Sequence, residues 1–190
     1  PEKTVKTHYF SRDCAELRII NEQTKRPEMI LLLVHLKSKL DPDGIDPEGR
    51  ERRAAELKTL VEIYTELRRE HPGTPMIVGG DFNGTIHKEN GEKEFIPLHS
   101  TDLENVFHIL GREIQDAMTQ IQFGRTGMPL LLQIDYLMIS PELKNHLVPE
   151  ETFVFRYRSD LGIKLATPAT FDQRLVLPSD HYPVVATFKF

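Results

Sequence analysis

Only one of the 190 residues is a cysteine, Cys14, so no internal disulfide can form. In its strand-like setting that thiol reads as a small buried hydrophobe rather than a nucleophile. Positive charge is not in excess either. The 24 Lys and Arg face 29 Asp and Glu, giving a formal charge of −5 and a pI near 5.9. That balance gives no electrostatic footprint for tight, non-specific nucleic-acid binding, which usually needs a basic stripe, and so lowers a nuclease reading without excluding it. It leaves room for an enzyme that neutralises a few phosphates locally, because a bound divalent cation adds positive charge that the residue count omits. No apolar run approaches the roughly 18 residues that span a bilayer. No repeat, low-complexity tract or linker is present, and no signal peptide is visible, although a chain starting at Pro1 leaves a removed leader open. Walker-type Gly-Lys-Ser/Thr loops, His-Glu-x-x-His zinc helices and a nucleophile elbow are absent. A binuclear metallophosphoesterase could begin at Gly80-Asp81, but the downstream Gly-Asn-His-Asp/Glu element it requires is missing.

What is there is an ordinary globular composition, 39% hydrophobic and 28% charged, in a length that makes residues 1–190 one domain with one substantial core. Residues 5–10 and 14–20 alternate loosely, and Met29–Leu36 is an uninterrupted apolar run, so all three read as strands. After a turn-rich loop over Asp41–Gly49, Leu57, Leu60, Val61, Tyr64 and Leu67 recur at helical spacing, with Arg52 and Arg53 on a solvated helix start. His71-Pro72-Gly73 ends that helix, because proline disfavours the helical state of the residue before it. Pro75–Val78 is a buried strand running into Gly79-Gly80-Asp81. Lys88–Glu94 reads as a polar loop and Thr101–Leu110 as a helix. Leu130–Ile139 reads as a strand interrupted by Gln133 and Asp135, Pro141–Leu147 as a helical turn, and Thr152–Tyr157 and Val184–Phe190 as further strands. Between the last two lies a long connection, Arg158–Pro178. This order fits an α/β sandwich in which two sheets pack face to face under outer helices.

Four short islands close or interrupt these apolar runs, where a buried strand hands its polar end to solvent: His35-Leu36-Lys37-Ser38, Gly80-Asp81-Phe82-Asn83, Ile134-Asp135-Tyr136 and Ser179-Asp180-His181. Alternate residues at a strand end project to one side, so Asp81 and Asn83 are able to reach one reacting group. The competing reading is an Asx turn, in which both bond their own backbone. An ionised Asp135 inside an apolar strand costs several kcal/mol unless it is paired. A nearby arginine such as Arg125 is one candidate partner. An imidazole near pH 6.5 suits proton transfer, and Pro183 fits a histidine sitting at a sheet's lip. A plain surface turn is the alternative for Ser179-Asp180-His181.

In their order and combination, the islands resemble the endonuclease/exonuclease/phosphatase superfamily, the fold of DNase I, from about Thr4 to Phe190. The resemblance implies a DNase I-like two-sheet β-sandwich flanked by helices, a four-layer α/β/β/α arrangement of which this chain would be the C-terminal two-thirds or so. The family also carries an Asn and a metal-binding Glu on N-terminal strands that would precede Pro1. It follows that a missing N-terminal segment, or a second chain, would complete the fold.

The same resemblance implies a phosphoester hydrolase dependent on Mg²⁺ or Mn²⁺, with water attacking phosphorus. Asp81 would orient or deprotonate the water and contribute to the metal site, and Asn83 would hold the water and the phosphoryl group. The Asp135–His181 pair would move protons and stabilise charge, His35 would hold phosphate oxygens, and Asp180 would support the metal. The carboxylate partner of His35 would come from the N-terminal segment. Lys37, Arg125 and Arg174 are candidates for touching the substrate phosphate. His-Leu-Lys-Ser-Lys leans towards nuclease-like phosphodiesterases. A phosphatase, a sphingomyelinase-type hydrolase of lipid phosphoesters, and a non-catalytic domain binding phosphate ligands or a protein are the alternatives. The remaining histidines, His8, His71, His87, His99, His108 and His146, show no ligand spacing and read as surface or packing residues.

Overall fold

The computed structural model describes residues 10–89, 91–124 and 126–190. Its frame is a mixed five-stranded sheet. Strands β1 (Cys14–Ile20) and β2 (Pro27–His35) form an antiparallel hairpin, and β2 runs parallel to β3 (Met76–Asp81). The edge on the other side is made by the two residues of β4 (Glu104–Asn105), which pair with β7 (Asp135–Ile139), itself antiparallel to β3. Among the described residues, two antiparallel two-stranded sheets are added: β5 (Gln120–Phe123) with β6 (Pro129–Leu132), and β8 (Phe153–Val154) with β9 (Val184–Val185). The parallel step from β2 to β3 needs a crossover. Helix α1 (Arg50–Glu70) supplies it, as its apolar spacing predicts.

Alternation along β2 divides the core. Ile30, Leu32 and Val34 join Leu57, Leu60, Tyr64 and Leu67 of α1 in one cluster, with Met76, Val78, Tyr136 and Met138 from the neighbouring strands. Each fully buried leucine there contributes about 1.5–3 kcal/mol. Ile77 and Ile139 point the other way, into a second cluster with Ile121, Val154 and Tyr182. Cross-strand pairing puts Leu17, Leu31 and Ile77 in one row on that second face. Its outer part is open, with Leu17 and Ile19 48% and 52% exposed.

Several expectations change. Thr101–Leu110 is not one helix: after β4 only α2 (Val106–Ile109) is helical, because the Asn105 side chain caps it by accepting from the Phe107 N–H. The preceding Asp102 is held by Tyr64 and Arg68. Leu130–Ile139 breaks into β6 and β7 in different sheets, since the buried Thr119 hydroxyl takes the N–H groups of Ile134 and Asp135 at the crossing. The last strand shortens to two residues, with a lone bridge from Leu147 to Phe188. Residues 158–178 remain a long connection, carrying α3 (Phe171–Leu175). Of the stretch 5–10, all but Phe10 lies outside the described residues.

Arg53 is a further correction. It is fully buried rather than solvated, with its charge met by Glu92 and Glu94 and its Nη1 donating to the carbonyls of Lys37 and Glu48. One turn on, the buried Glu56 accepts the backbone N–H groups of Ser11 and Lys37, both at 2.6 Å. Together they fasten the end of β2 to α1. Cys14 is half-buried against the first core cluster, and burial pushes its thiol up, followed by the charges of Asp13 and Glu16.

Candidate active site

Three adjacent strands end together. In the register of the sheet, His35 of β2 lies beside Asp81 of β3, and Asp81 beside Asp135 of β7, so the three side chains form a row on the second face. Close approach of β2 and β3 depends on Gly80. Its φ of +132° is a glycine conformation, and a Cβ there would lie 1.9 Å from the Val34 carbonyl oxygen. Asp81 therefore reaches the lip of the sheet on a strand that no side chain at position 80 could hold so near.

His181 meets this row from the opposite side. Its backbone is clamped: Ser179 Oγ accepts from its N–H at 3.0 Å, and the Tyr157 hydroxyl donates to its carbonyl at 2.7 Å. Nδ1 lies 3.0 and 3.1 Å from the two carboxylate oxygens of Asp135. That hydrogen bond, ahead of the opposing effect of burial, raises the His181 pKa above its ordinary value. The other ring nitrogen, Nε2, is 2.9 Å from the side-chain amide nitrogen of Gln120, whose oxygen accepts from Gln122 at 2.6 Å. In that chain Gln120 donates to Nε2, which fixes the neutral tautomer with its proton on Nδ1, facing Asp135.

On the other flank, His35 Nε2 is 3.3 Å from Asp81 Oδ2. Within the chain, Asp81 is thus a carboxylate neighbour of His35. Burial lowers the His35 pKa against the attraction of Asp81, helped by Arg12 and His181. Burial likewise raises that of Asp81, against the hydrogen bond from the Asn83 N–H. The pair thus favours its uncharged forms more than an exposed ion pair would.

Asp81, Asp135 and His181 present ligand atoms that all lie within 4.8 Å of one another, and among the described residues no other His, Cys, Asp and Glu set does so. Asn83 stands beside them in the left-handed region at φ 52°, and its N–H donates to Asp81 Oδ1 at 2.8 Å, an Asx turn. Its side-chain amide donates to the Leu36 carbonyl at 2.9 Å, tying the ends of β2 and β3 together. Other assigned residues stand apart. The Lys37 amine folds back onto the carbonyls of Ser38 and Leu40. Asp180 pairs with Arg174 at 2.7 Å and is not in the three-residue group. Arg125 lies outside the described residues. Thr119, Gln120, Glu56 and Arg12 escaped the sequence reading, and only the polar spacing of Gln120 and Gln122 along β5 could have drawn attention to them.

No family model matches the chain, and no curated protein matches its sequence. Solved structures do match its fold. A mannosyl-6-phosphatase of Bacteroides thetaiotaomicron aligns with TM-score 0.57 at 20% identity, over 93% of this chain and 57% of that one. The human Nocturnin catalytic domain gives 0.56 at 19% identity, over 92% and 52%. An endonuclease/exonuclease/phosphatase family protein of Bacteroides thetaiotaomicron gives 0.50 at 19%, over 91% and 54%. The chain therefore carries the fold of the endonuclease/exonuclease/phosphatase superfamily, the DNase I-like α/β sandwich. It spans about half the length of these structures.

Proposed function

We propose that the chain is a phosphoester hydrolase that directs water at phosphorus, with a nuclease-like phosphodiesterase as the favoured form. The observation that carries this reading is the convergence of two carboxylates and two imidazoles, as the pairs His35–Asp81 and Asp135–His181, where β2, β3 and β7 meet the residue-181 loop. Asp81 in its ionised form accepts the proton of the attacking water. His181, held through Nδ1 by Asp135 and favoured by its raised pKa as the imidazolium, donates its Nε2–H to the phosphoryl oxygens as charge develops and passes that proton to the leaving oxygen. Contact of Nε2 with a substrate oxygen requires the Gln120 amide to turn aside. His35 would hold a second phosphate oxygen, and Asn83 ties the ends of β2 and β3 together through Leu36, where its amide oxygen would accept from the attacking water.

The donor set fits a hard divalent cation such as Mg²⁺ or Mn²⁺: Asp81 and Asp135 would supply carboxylate oxygens, and Mg²⁺ ordinarily fills its other positions with water and phosphate. When bound, the cation would neutralise charge on the phosphate and its leaving oxygen. Asp180 and Arg174 hold each other at the rim, where either is free to turn to the metal side or to a phosphate.

The phosphodiesterase form rests on the His-Leu-Lys-Ser-Lys strand end, and the likeness to a mannosyl-6-phosphatase keeps a phosphatase as the second reading. The open apolar rows of β1 and β2 lie on the face that bears the site and support packing of a further segment or a second chain there. Plasmid DNA, single-stranded RNA, sugar and inositol phosphates and sphingomyelin, each assayed with and without Mg²⁺, test the reading. Cleavage of at least one, dependent on the cation, is expected. Survival of all of them at high protein concentration would overturn it.

A further inference from the structure

Gln120 meets His181 twice. Their backbones form a bridge, and it is fastened on both flanks: Ile121 donates its N–H to the Asp180 carbonyl at 3.0 Å, and Tyr182 donates to the Thr119 carbonyl at 2.7 Å. Thr119 is fully buried and Gln120 is 7% exposed, so residues 119–121 are held against the histidine. The side chains meet as well, with Gln120 Nε2 2.9 Å from His181 Nε2. The chemistry assigned to the site leaves that amide without a task beyond turning aside.

Two contacts decide which end of the amide faces the site. Gln122 donates to Gln120 Oε1 at 2.6 Å, so the oxygen is occupied and the NH₂ group points at the histidine. The ionised Asp135 carboxylate only accepts, so the neutral ring carries its proton on Nδ1 and offers Nε2 to that NH₂ group. When His181 instead donates from Nε2 to a phosphoryl oxygen, both nitrogens are donors and the Gln120 amide loses its acceptor. Buried amides are almost always paired. A small turn of the side chain carries one N–H onto a second oxygen of the same phosphoryl group, which arrives next to it.

We propose that Gln120 is a further catalytic residue: its side-chain N–H and the Nε2–H of His181 form a fork that takes two oxygens of the phosphoryl group as charge grows on them. Parallel donors of this kind match a phosphate much as a guanidinium does. Gln122, on the exposed flank of β5, keeps the donor end of the amide turned inwards. The assignment rests on the phosphoester-hydrolase reading of the same site.

The experiment joins two variants to a ligand titration of the whole chain. On the substrate cleaved fastest, Gln120→Ala is expected to lower kcat about 10²-fold, the size of one lost oxyanion donor, with KM changed less. Gln120→Glu keeps the length and still accepts from Gln122, but it sets a carboxylate against the phosphoryl oxygens, so it should be slower than Gln120→Ala. An amide that only orients the ring predicts the reverse order, because a carboxylate accepts from Nε2–H and would hold the imidazolium in place. Independently of turnover, inorganic phosphate titrated into isotope-labelled chain should shift the Gln120 side-chain amide signals, identified by their loss in Gln120→Ala. A folded Gln120→Ala within about threefold of wild type, a Gln120→Glu faster than Gln120→Ala, or an amide unmoved by millimolar phosphate would each overturn the assignment, and cleavage by the wild type would leave the hydrolase reading standing. A wild type that cleaves nothing would sink the hydrolase reading, and with it the catalytic role; an amide shift would then leave Gln120 as a phosphate contact only. If Gln120→Ala does not fold, Gln120→Glu measured against wild type and the amide shift, identified by its loss in that variant, decide the matter.

Discussion

The Asp135 carboxylate, at the start of β7, grips His181 Nδ1 with both oxygens, at 3.0 and 3.1 Å, while His181 itself lies outside the strands and is bridged only to Gln120. The contact joins the two halves of the site, and it is also the reason a carboxylate sits at the head of a strand whose next residue, Tyr136, is 1% exposed.

Replacing Asp135 with Asn should leave the chain folded, because the backbone N–H of residue 135 keeps its bond to Thr119. The pKa of His181 should fall, since the hydrogen bond that raises it is lost. An amide also accepts less well from Nδ1–H and allows the other tautomer. Turnover should drop by about 10²–10⁴. Proton NMR of the His181 ring against pH, with a rate assay, checks both. An unmoved His181 titration in a fully active variant would remove the pairing from the account.

Stability should depend on pH through two histidines with opposite signs. His181 is raised above 6.5, so its stabilisation is complete below that pH and fades as pH climbs through the folded value. His35 is lowered from 6.5, so its contribution is present above that pH and fades as pH falls through the folded value. These two groups alone give a maximum near pH 6.5. Urea unfolding across pH 5–8 should show the alkaline limb flattened in His181→Gln and the acid limb flattened in His35→Gln. If both variants keep the wild-type curve, these histidines are not the groups responsible.

The parts of the fold readable from sequence are those where one periodicity runs uncontested. Leu57 to Leu67 marked α1, and the apolar run of β2 and the approach to Gly79-Gly80-Asp81 marked two strands, whose parallel pairing only the structure shows. Where a single side chain overrode the local pattern, the reading failed. Asn105 capping a one-turn helix and Thr119 splitting Leu130–Ile139 are long-range or cap effects that periodicity does not register. The four polar islands located Asp81, Asp135, His181 and His35, because a polar residue in an apolar strand calls for a partner. Gln120 and Glu56 left no such mark, being polar residues among polar neighbours whose roles come from what they face in space.

Arg53 shows how much a misread surface residue can carry. Arg53→Ala would leave Glu94, 7% exposed in its side chain, and Glu92 without their buried cation, at a cost of about 3–5 kcal/mol. Arg53→Met together with Glu94→Leu should recover part of that loss by replacing charges with apolar volume. Urea denaturation of the three proteins measures the difference. A loss below about 1 kcal/mol in Arg53→Ala would mean that the charge is solvated, as exposed pairs are.

The account turns on His181, and its most direct test is the rate of phosphoester cleavage by the wild-type chain and by His181→Ala, on the substrate cleaved fastest and at saturating Mg²⁺. Loss of the oriented imidazole should lower turnover by at least about 10²-fold while the variant stays folded. A folded His181→Ala that cleaves within about tenfold of wild type would contradict the assignment of this site to the chemistry.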